Sequence, residues 1–200
     1  MVTGILALQG DFGAHAEKLK QLGKKSKEVR TASDMQEVTS LIVPGGESSV
    51  LLKLMPADLE QAIVSGIKGG MPALVTCAGL ILFASEVKNP EQRCLGLLDI
   101  GVTRNAYGRQ LDSFIDSNLS FKLPNAKEAQ IEGIFIRAPK IEWVGQSARF
   151  LVERKNEAQK SEVVGIRQGN IIGLTFHPEL SDNSNPIYDL LFDTKPSTQN

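Results

Sequence analysis

Met71-Pro72-Ala73-Leu74-Val75-Thr76-Cys77-Ala78-Gly79-Leu80 is the stretch on which the fold turns. The apolar run from Met71 to Thr76 reads as a short buried strand, and the spacing from Ala78 to Glu86 predicts a helix. Small residues, Ala78 and Gly79, stand at the junction, so the strand can turn sharply into the helix with Cys77 at the bend. That pattern resembles a nucleophile elbow, where the turn exposes a reactive atom. The N-terminus of the following helix favours a thiolate there. Elbows usually also carry a glycine two residues before the nucleophile, a position held here by Val75. An inert buried cysteine fits the same stretch, because free cysteine is commonly buried. Cys77 therefore needs partners before it means chemistry.

On the amino-terminal side of this stretch, strands and helices alternate. Strands are predicted at Val2–Leu8, 27–30 and 41–43, and helices at Ala14–Leu22, at 33–38 with Ser33 as cap, from Glu47 or Ser48, and at Pro56–Ile67. Pro56 suits a first helical turn. Such alternation implies crossover units and parallel strands. On the carboxyl side the pattern changes to closely spaced strands at 100–103, 119–123, 133–136, 149–153, 163–167 and 171–176. Gln168-Gly169-Asn170 is a hairpin turn between the last two, and 186–192 a final helix. The expected fold is α/β in a single domain, 1–193: a central, mostly parallel sheet flanked by helices, with an antiparallel extension. Residues 194–200 are polar and read as a disordered tail. In open α/β sheets ligands bind beyond the carboxyl ends of the strands. Pro44-Gly45-Gly46, Cys77 and His177 all fall at such ends.

Phe176-His177-Pro178-Glu179-Leu180 supplies the partners. A nearby imidazole activates a thiol by taking its proton, and a carboxylate fixes the imidazole. Pro178 disfavours helical backbone at His177, so an extended His-Pro-Glu stretch would point His177 and Glu179 the same way. Pro44-Gly45-Gly46-Glu47-Ser48 reads either as an ordinary turn or as a loop whose Gly46 N–H reaches a substrate carbonyl, with the Ala78 N–H as second oxyanion donor. No Gly-Lys-Ser/Thr follows, against a phosphate loop. Arginines at predicted strand ends, Arg104 beside Asn105 and Arg137 after Ile136, are either solvated or carboxylate-binding. His15, on the first helix, is read as a surface or interface residue, and Cys94, in a polar loop, as incidental.

Bulk properties narrow the field. Two hundred residues, 42% hydrophobic, suffice for one sizeable core. A net charge of -1 shows no polyanion partner, and Lys24-Lys25-Ser26-Lys27 reads as a solvated turn. No basic leader and no run of about 20 apolar residues is present, so neither a signal peptide nor a membrane span is expected. Two cysteines are no disulfide framework, and a cytoplasmic setting fits. Two histidines and two distant cysteines are too few for a metal site, and no cofactor is expected.

Six motifs in order carry a resemblance over 2–192: Leu8-Gln9-Gly10 with His15; Pro44 to Ser48; Thr76 to Leu80; Arg104-Asn105 with Gly108-Arg109-Gln110; Phe135-Ile136-Arg137-Ala138-Pro139; and Phe176 to Leu180. Together they resemble the class I glutamine amidotransferases and, within them, the family of glutaminase subunits of pyridoxal 5′-phosphate synthases. The resemblance implies hydrolysis of L-glutamine to glutamate and ammonia. It implies a Cys77-His177-Glu179 triad, Gly46 and Ala78 as the oxyanion hole, and Gly46, Glu47, Ser48, Arg104, Ile136 and Arg137 as substrate-binding residues. It further implies a barrel-shaped synthase subunit as partner in a hetero-oligomer, receiving the ammonia for vitamin B6 synthesis. Two departures are Val75 and a short segment between Ser49 and Pro56. Two other readings stay open: another Cys-His hydrolase, such as a γ-glutamyl hydrolase, and a binding subunit without activity.

Overall fold

The computed structural model describes residues 1–106, 113–122, 128–156 and 158–194. Short runs of uninterrupted apolar residues make strands that are buried on both faces. Thus β1 (Thr3–Leu6), β3 (Ser40–Val43), β4 (Ala73–Thr76) and β12 (Ile171–Leu174) are buried along their whole length. Between them run α1 (Phe12–Gln21), β2 (Ser26–Val29), α2 (Ser48–Leu54), α3 (Ala57–Lys68) and α4 (Ala78–Phe83). The second half contributes β5 (Ala84–Lys88), β6 (Leu98–Thr103), β7 (Ser113–Lys122), β8 (Glu128–Ile136), β9 (Lys140–Val144), β10 (Arg149–Lys155), β11 (Ser161–Gln168) and α5 (Asn185–Asp193).

Among the described residues nine strands form one sheet in the order β2-β1-β3-β4-β12-β11-β10-β7-β8. The half from β2 to β12 is parallel. From β12 outward the pairing is antiparallel. A smaller sheet, β5-β6-β9, lies beside it. Alternate residues of the parallel strands feed two cores. Leu41, Val43, Ala73 and Val75 meet α3 and α4 through Leu59, Ile63 and Leu80. Ile5, Ile42, Leu74 and Leu174 meet α1 and α5 through Leu19, Ile187 and Leu191.

The hairpin between β11 and β12 positions the site. Gln168 pairs with Ile171 across Gly169 and Asn170, and Gly169 takes the positive φ such a turn needs. The chain reverses and lays β12 parallel to β4, with Leu174 level with Thr76. Val43 of β3 is level with Val75. The segments that follow β3, β4 and β12 therefore leave the sheet at one edge, side by side. The β1/β3 boundary is also where the strand order reverses, the usual ligand position in this architecture.

Several elements differ from the sequence-based expectation. The helix after Cys77 stops at Phe83, not Glu86, because Ala84–Lys88 pairs with β6. With no glycine or proline to mark the change, sheet pairing overrides local preference. The short helix after β2 is a 3-10 turn, Ala32–Glu37, capped by Thr31 and not Ser33; Asp34 accepts the Thr31 N–H at 2.9 Å. The strand expected from Leu119 starts at Ser113, and its expected end, Leu123, lies outside the described residues. β9 was not anticipated; it pairs with β6, and Trp143 donates to Glu86 at 2.9 Å. Thr194 is buried and bonds back to Leu190 O at 2.8 Å, while 195–200 lie outside the described residues.

A glycine fixes how closely α4 meets the sheet. A Cβ on Gly79 would stand 2.2 Å from the Val43 carbonyl oxygen. Gly79→Ala is therefore expected to lower stability by about 1–3 kcal/mol or more, the range for overpacked cores. A urea midpoint equal to that of the parent chain would show instead that α4 can shift without cost.

Candidate active site

Cys77 sits at the bend between β4 and α4 with φ 47° and ψ −102°, a conformation that non-glycine residues seldom adopt. The bend is pinned on both sides. The Cys77 N–H donates to Leu174 O of β12 at 2.9 Å, and the Ile81 N–H donates to the Cys77 carbonyl at 3.2 Å. Val75 does not prevent the elbow. Its neighbour in register is Gly173, where an added Cβ would come within 2.6 Å of Leu80. The space an elbow needs beneath its helix is thus left by the adjacent strand.

His177 follows β12 in extended backbone, and its N–H donates to Ile134 O of β8 at 2.8 Å. That bond ties the antiparallel half of the sheet to the site. Pro178, Glu179 and Leu180 form a 3-10 turn. The expected extended His-Pro-Glu stretch is therefore corrected: Pro178 takes the first position of a turn, where its missing N–H costs nothing. Glu179 still reaches the imidazole, with Oε1 2.7 Å from Nδ1. The ring rests against Gly45, where a Cβ would lie 2.3 Å from Cε1. Gly45 thus makes room for His177, a role the sequence did not disclose.

Electrostatics follow from this packing. Burial, the largest influence, disfavours the His177 imidazolium. The hydrogen bond and charge interaction with the Cys77 sulfur, and those with the Glu179 carboxylate, together outweigh it and push the pKa up to about 10. Burial also raises the Glu179 pKa, but His15 and His177 hold it below the ordinary carboxylate value on balance.

In front of Cys77 and His177 lies a cleft of about 260 Å³. Gly46, Glu47, Ser48, Arg104, Ile136 and Arg137 all line it, with Gln9, Asp11 and Asn105. Ala78 opens α4 directly behind the thiol, and Glu179 lies behind the imidazole. The Arg104 guanidinium pairs with Glu47 and also donates to Gln92 Oε1 at 2.9 Å. The Ser48 hydroxyl donates to the same amide oxygen at 2.8 Å, making Gln92 an unanticipated brace of this wall. Gly46 has φ 154°, and the Glu47 N–H donates to Gln9 Oε1 at 2.8 Å. Gly108, Arg109 and Gln110 lie outside the described residues.

His15 is no surface residue. It is fully buried, with Nε2 3.3 Å from Glu179 Oε2 and Nδ1 3.0 Å from the Tyr188 hydroxyl. A signal was available: His15 stands four residues before Leu19, on the apolar face of α1. Cys94 is half-buried in the loop between β5 and β6, and burial pushes its thiol pKa up. Among the described residues no cluster of three or more His, Cys, Asp or Glu side chains could hold a metal. No helix there is long and apolar enough to cross a membrane.

Residues 5–195 match the model of the SNO glutamine amidotransferase family. The chain belongs to the SNO glutamine amidotransferase family. It is 40% identical over 185 residues to pyridoxal 5′-phosphate synthase subunit PdxT of Kosmotoga olearia, covering 92% of each chain. It is 39% identical to the PdxT of Thermotoga maritima, covering 92% of this chain and 94% of that one. A crystal structure of a glutamine amidotransferase superimposes with TM-score 0.84 at 36% identity, over 97% and 98% of the two chains. At 14% identity, the structure of PurLQS from Thermotoga maritima still matches with TM-score 0.70, a likeness of fold alone. As an SNO amidotransferase the chain has the expected α/β architecture.

Proposed function

We propose that this SNO amidotransferase hydrolyses L-glutamine to L-glutamate and ammonia, as the glutaminase subunit of a pyridoxal 5′-phosphate synthase. The observation that carries the reading is the convergence of Cys77 and His177, from two different strand ends, on one cleft, with Glu179 bonded behind the imidazole, within a chain of this family. Cys77 Sγ attacks the side-chain amide carbon of glutamine, with the proton held by His177. His177 passes that proton to the departing ammonia, and water then releases glutamate by the reverse use of the same groups. The Gly46 and Ala78 N–H groups receive the oxyanion. Glu47 and Arg104 present opposite charges at the cleft, which suits the ammonium and carboxylate of a free amino acid. That pairing favours free glutamine over the longer substrates of a γ-glutamyl hydrolase.

The partner is a synthase subunit that takes up the ammonia. An unpaired glutaminase would waste glutamine, so the isolated chain is expected to be slow. The segment Gly45-Gly46-Glu47 is the proposed switch. Gln9 holds the next N–H, that of Glu47, and the glycine peptide carrying the Gly46 N–H can reorient at little steric cost. A missing oxyanion donor costs roughly 10²–10³ in rate. Adding the synthase subunit should therefore raise kcat, not merely lower KM. Gly46→Val should blunt that rise, since a Cβ there would stand 2.4 Å from Gln9 Oε1. Glutamine turnover measured with and without the synthase subunit tests both parts. No turnover in either case would remove the glutaminase reading, and equal kcat in both would remove the switch.

A further inference from the structure

The mechanism above leaves a buried polar chain behind Glu179 unused. Glu179 Oε1 is occupied by His177 at 2.7 Å. Oε2 is also buried, and among the described residues no donor is well aligned on it. The imidazole Nε2 of His15 lies 3.3 Å away, and the same nitrogen is 3.4 Å from Thr76 Oγ1 at the foot of the elbow. On the far side of the ring, Nδ1 is 3.0 Å from the hydroxyl of Tyr188, itself fully buried. Four elements meet here: α1, β4, the turn after β12, and α5.

We infer that His15 and Tyr188 are positioning residues of this site: Tyr188 donates to His15 Nδ1 and so fixes the tautomer that keeps Nε2–H beside Glu179 Oε2, 3.3 Å away, and the carboxylate turned toward His177. The inference rests on the triad reading. A buried carboxylate oxygen without a donor is costly, and the group escapes that cost by taking up a proton. A neutral imidazole supplies a donor without a competing positive charge, so the carboxylate's charge remains available to the His177 imidazolium. Burial holds His15 neutral: it lowers the pKa as the largest influence, His177 acts in the same direction, and Glu179 and Asp11 oppose. Burial and Glu179 push the Tyr188 pKa well up, so its hydroxyl keeps the proton it donates. The remaining charged groups nearby point elsewhere. Lys18 of α1 donates to Ser181 O at 2.8 Å, and Glu132 of β8 accepts from the Ser181 hydroxyl at 3.0 Å.

The test is the acid limb of Cys77 alkylation by iodoacetamide, followed on the Cys77 peptide by mass spectrometry, in the full chain. Tyr188→Phe keeps shape and removes one hydroxyl. His15→Ala removes the donor, and His15→Gln offers an amide that can accept from Tyr188 and donate to Glu179. Loss of the donor lets Glu179 protonate at higher pH and weakens the imidazolium that supports the thiolate. The limb should therefore move up by about one pH unit in Tyr188→Phe and His15→Ala. In the complex with the synthase subunit, kcat should fall about tenfold with KM unchanged. His15→Gln should restore both. If His15→Ala does not fold, Tyr188→Phe decides. A parental acid limb in folded Tyr188→Phe overturns the relay while leaving the triad standing. Parental glutamine turnover in His177→Ala, measured in the same complex, overturns the triad and the relay with it.

Discussion

Cys77→Ala is expected to abolish glutamine hydrolysis, with a loss on the order of 10⁵–10⁶ in kcat, the scale on which removal of a nucleophile acts. The fold should survive. Besides His177, the thiol makes a long polar contact among the described residues, Sγ to Ile136 O at 3.9 Å, and the backbone bonds that pin the bend are untouched. Circular dichroism and the urea midpoint should match the parent within a small margin. The complementary experiment labels the native chain with an electrophilic glutamine analogue. Cys77, although the more buried of the two, lines the cleft at the bend, whereas Cys94 lies outside that cleft with its thiol pKa pushed up by burial. Label should appear on Cys77 and not on Cys94. Retained turnover in Cys77→Ala, or label on Cys94 alone, would remove the proposed nucleophile.

The parallel half of the fold was legible because its signals were local. Runs such as Leu41-Ile42-Val43 are too short and too apolar for anything but a buried strand, and Pro44-Gly45-Gly46 closes one sharply. The antiparallel half was less so. β5 and β9 exist because they pair with β6, a fact that no property of Ala84–Lys88 or Lys140–Val144 alone declares. Gly101 is the hidden clue, since a Cβ there would stand 2.0 Å from the Trp143 indole nitrogen. Sequence reading sees a glycine in a strand and cannot see the indole it admits.

The site divides the same way. Cys77, His177 and the Gly45-Gly46 loop could be placed together because strand ends of a parallel sheet converge. For Glu179 the extended backbone that the sequence suggests is replaced by a 3-10 turn, which brings its carboxylate to His177. The pairing survives because Pro178 begins a turn tight enough to fold Glu179 back beneath the ring. The burial of His15 is hidden for a different cause. Its distance in sequence from Glu179 hides that α1 packs over the same strand ends, and a lone histidine on a helix carries no mark of burial except its spacing from Leu19.

The sharpest test of that arrangement compares His177→Ala with Glu179→Gln. His177 carries the proton in every step, so its loss should cost on the order of 10⁵–10⁶ in kcat, matching Cys77→Ala. Combining the two substitutions should cost little more than either alone, because both remove the same unit. Glu179 only orients and charges the imidazole, and Glu179→Gln should therefore cost one to two decades less. The change keeps the side-chain shape but removes the negative charge that, with the Cys77 sulfur, lifts His177 to about 10. The His177 pKa should fall. Single-turnover glutamine hydrolysis by Cys77→Ala, His177→Ala, their combination and Glu179→Gln, each with the synthase subunit present, gives the order. A Glu179→Gln chain that turns over at the parental rate would show that the 2.7 Å contact with Nδ1 is structural only, and the site would then be a Cys77-His177 dyad.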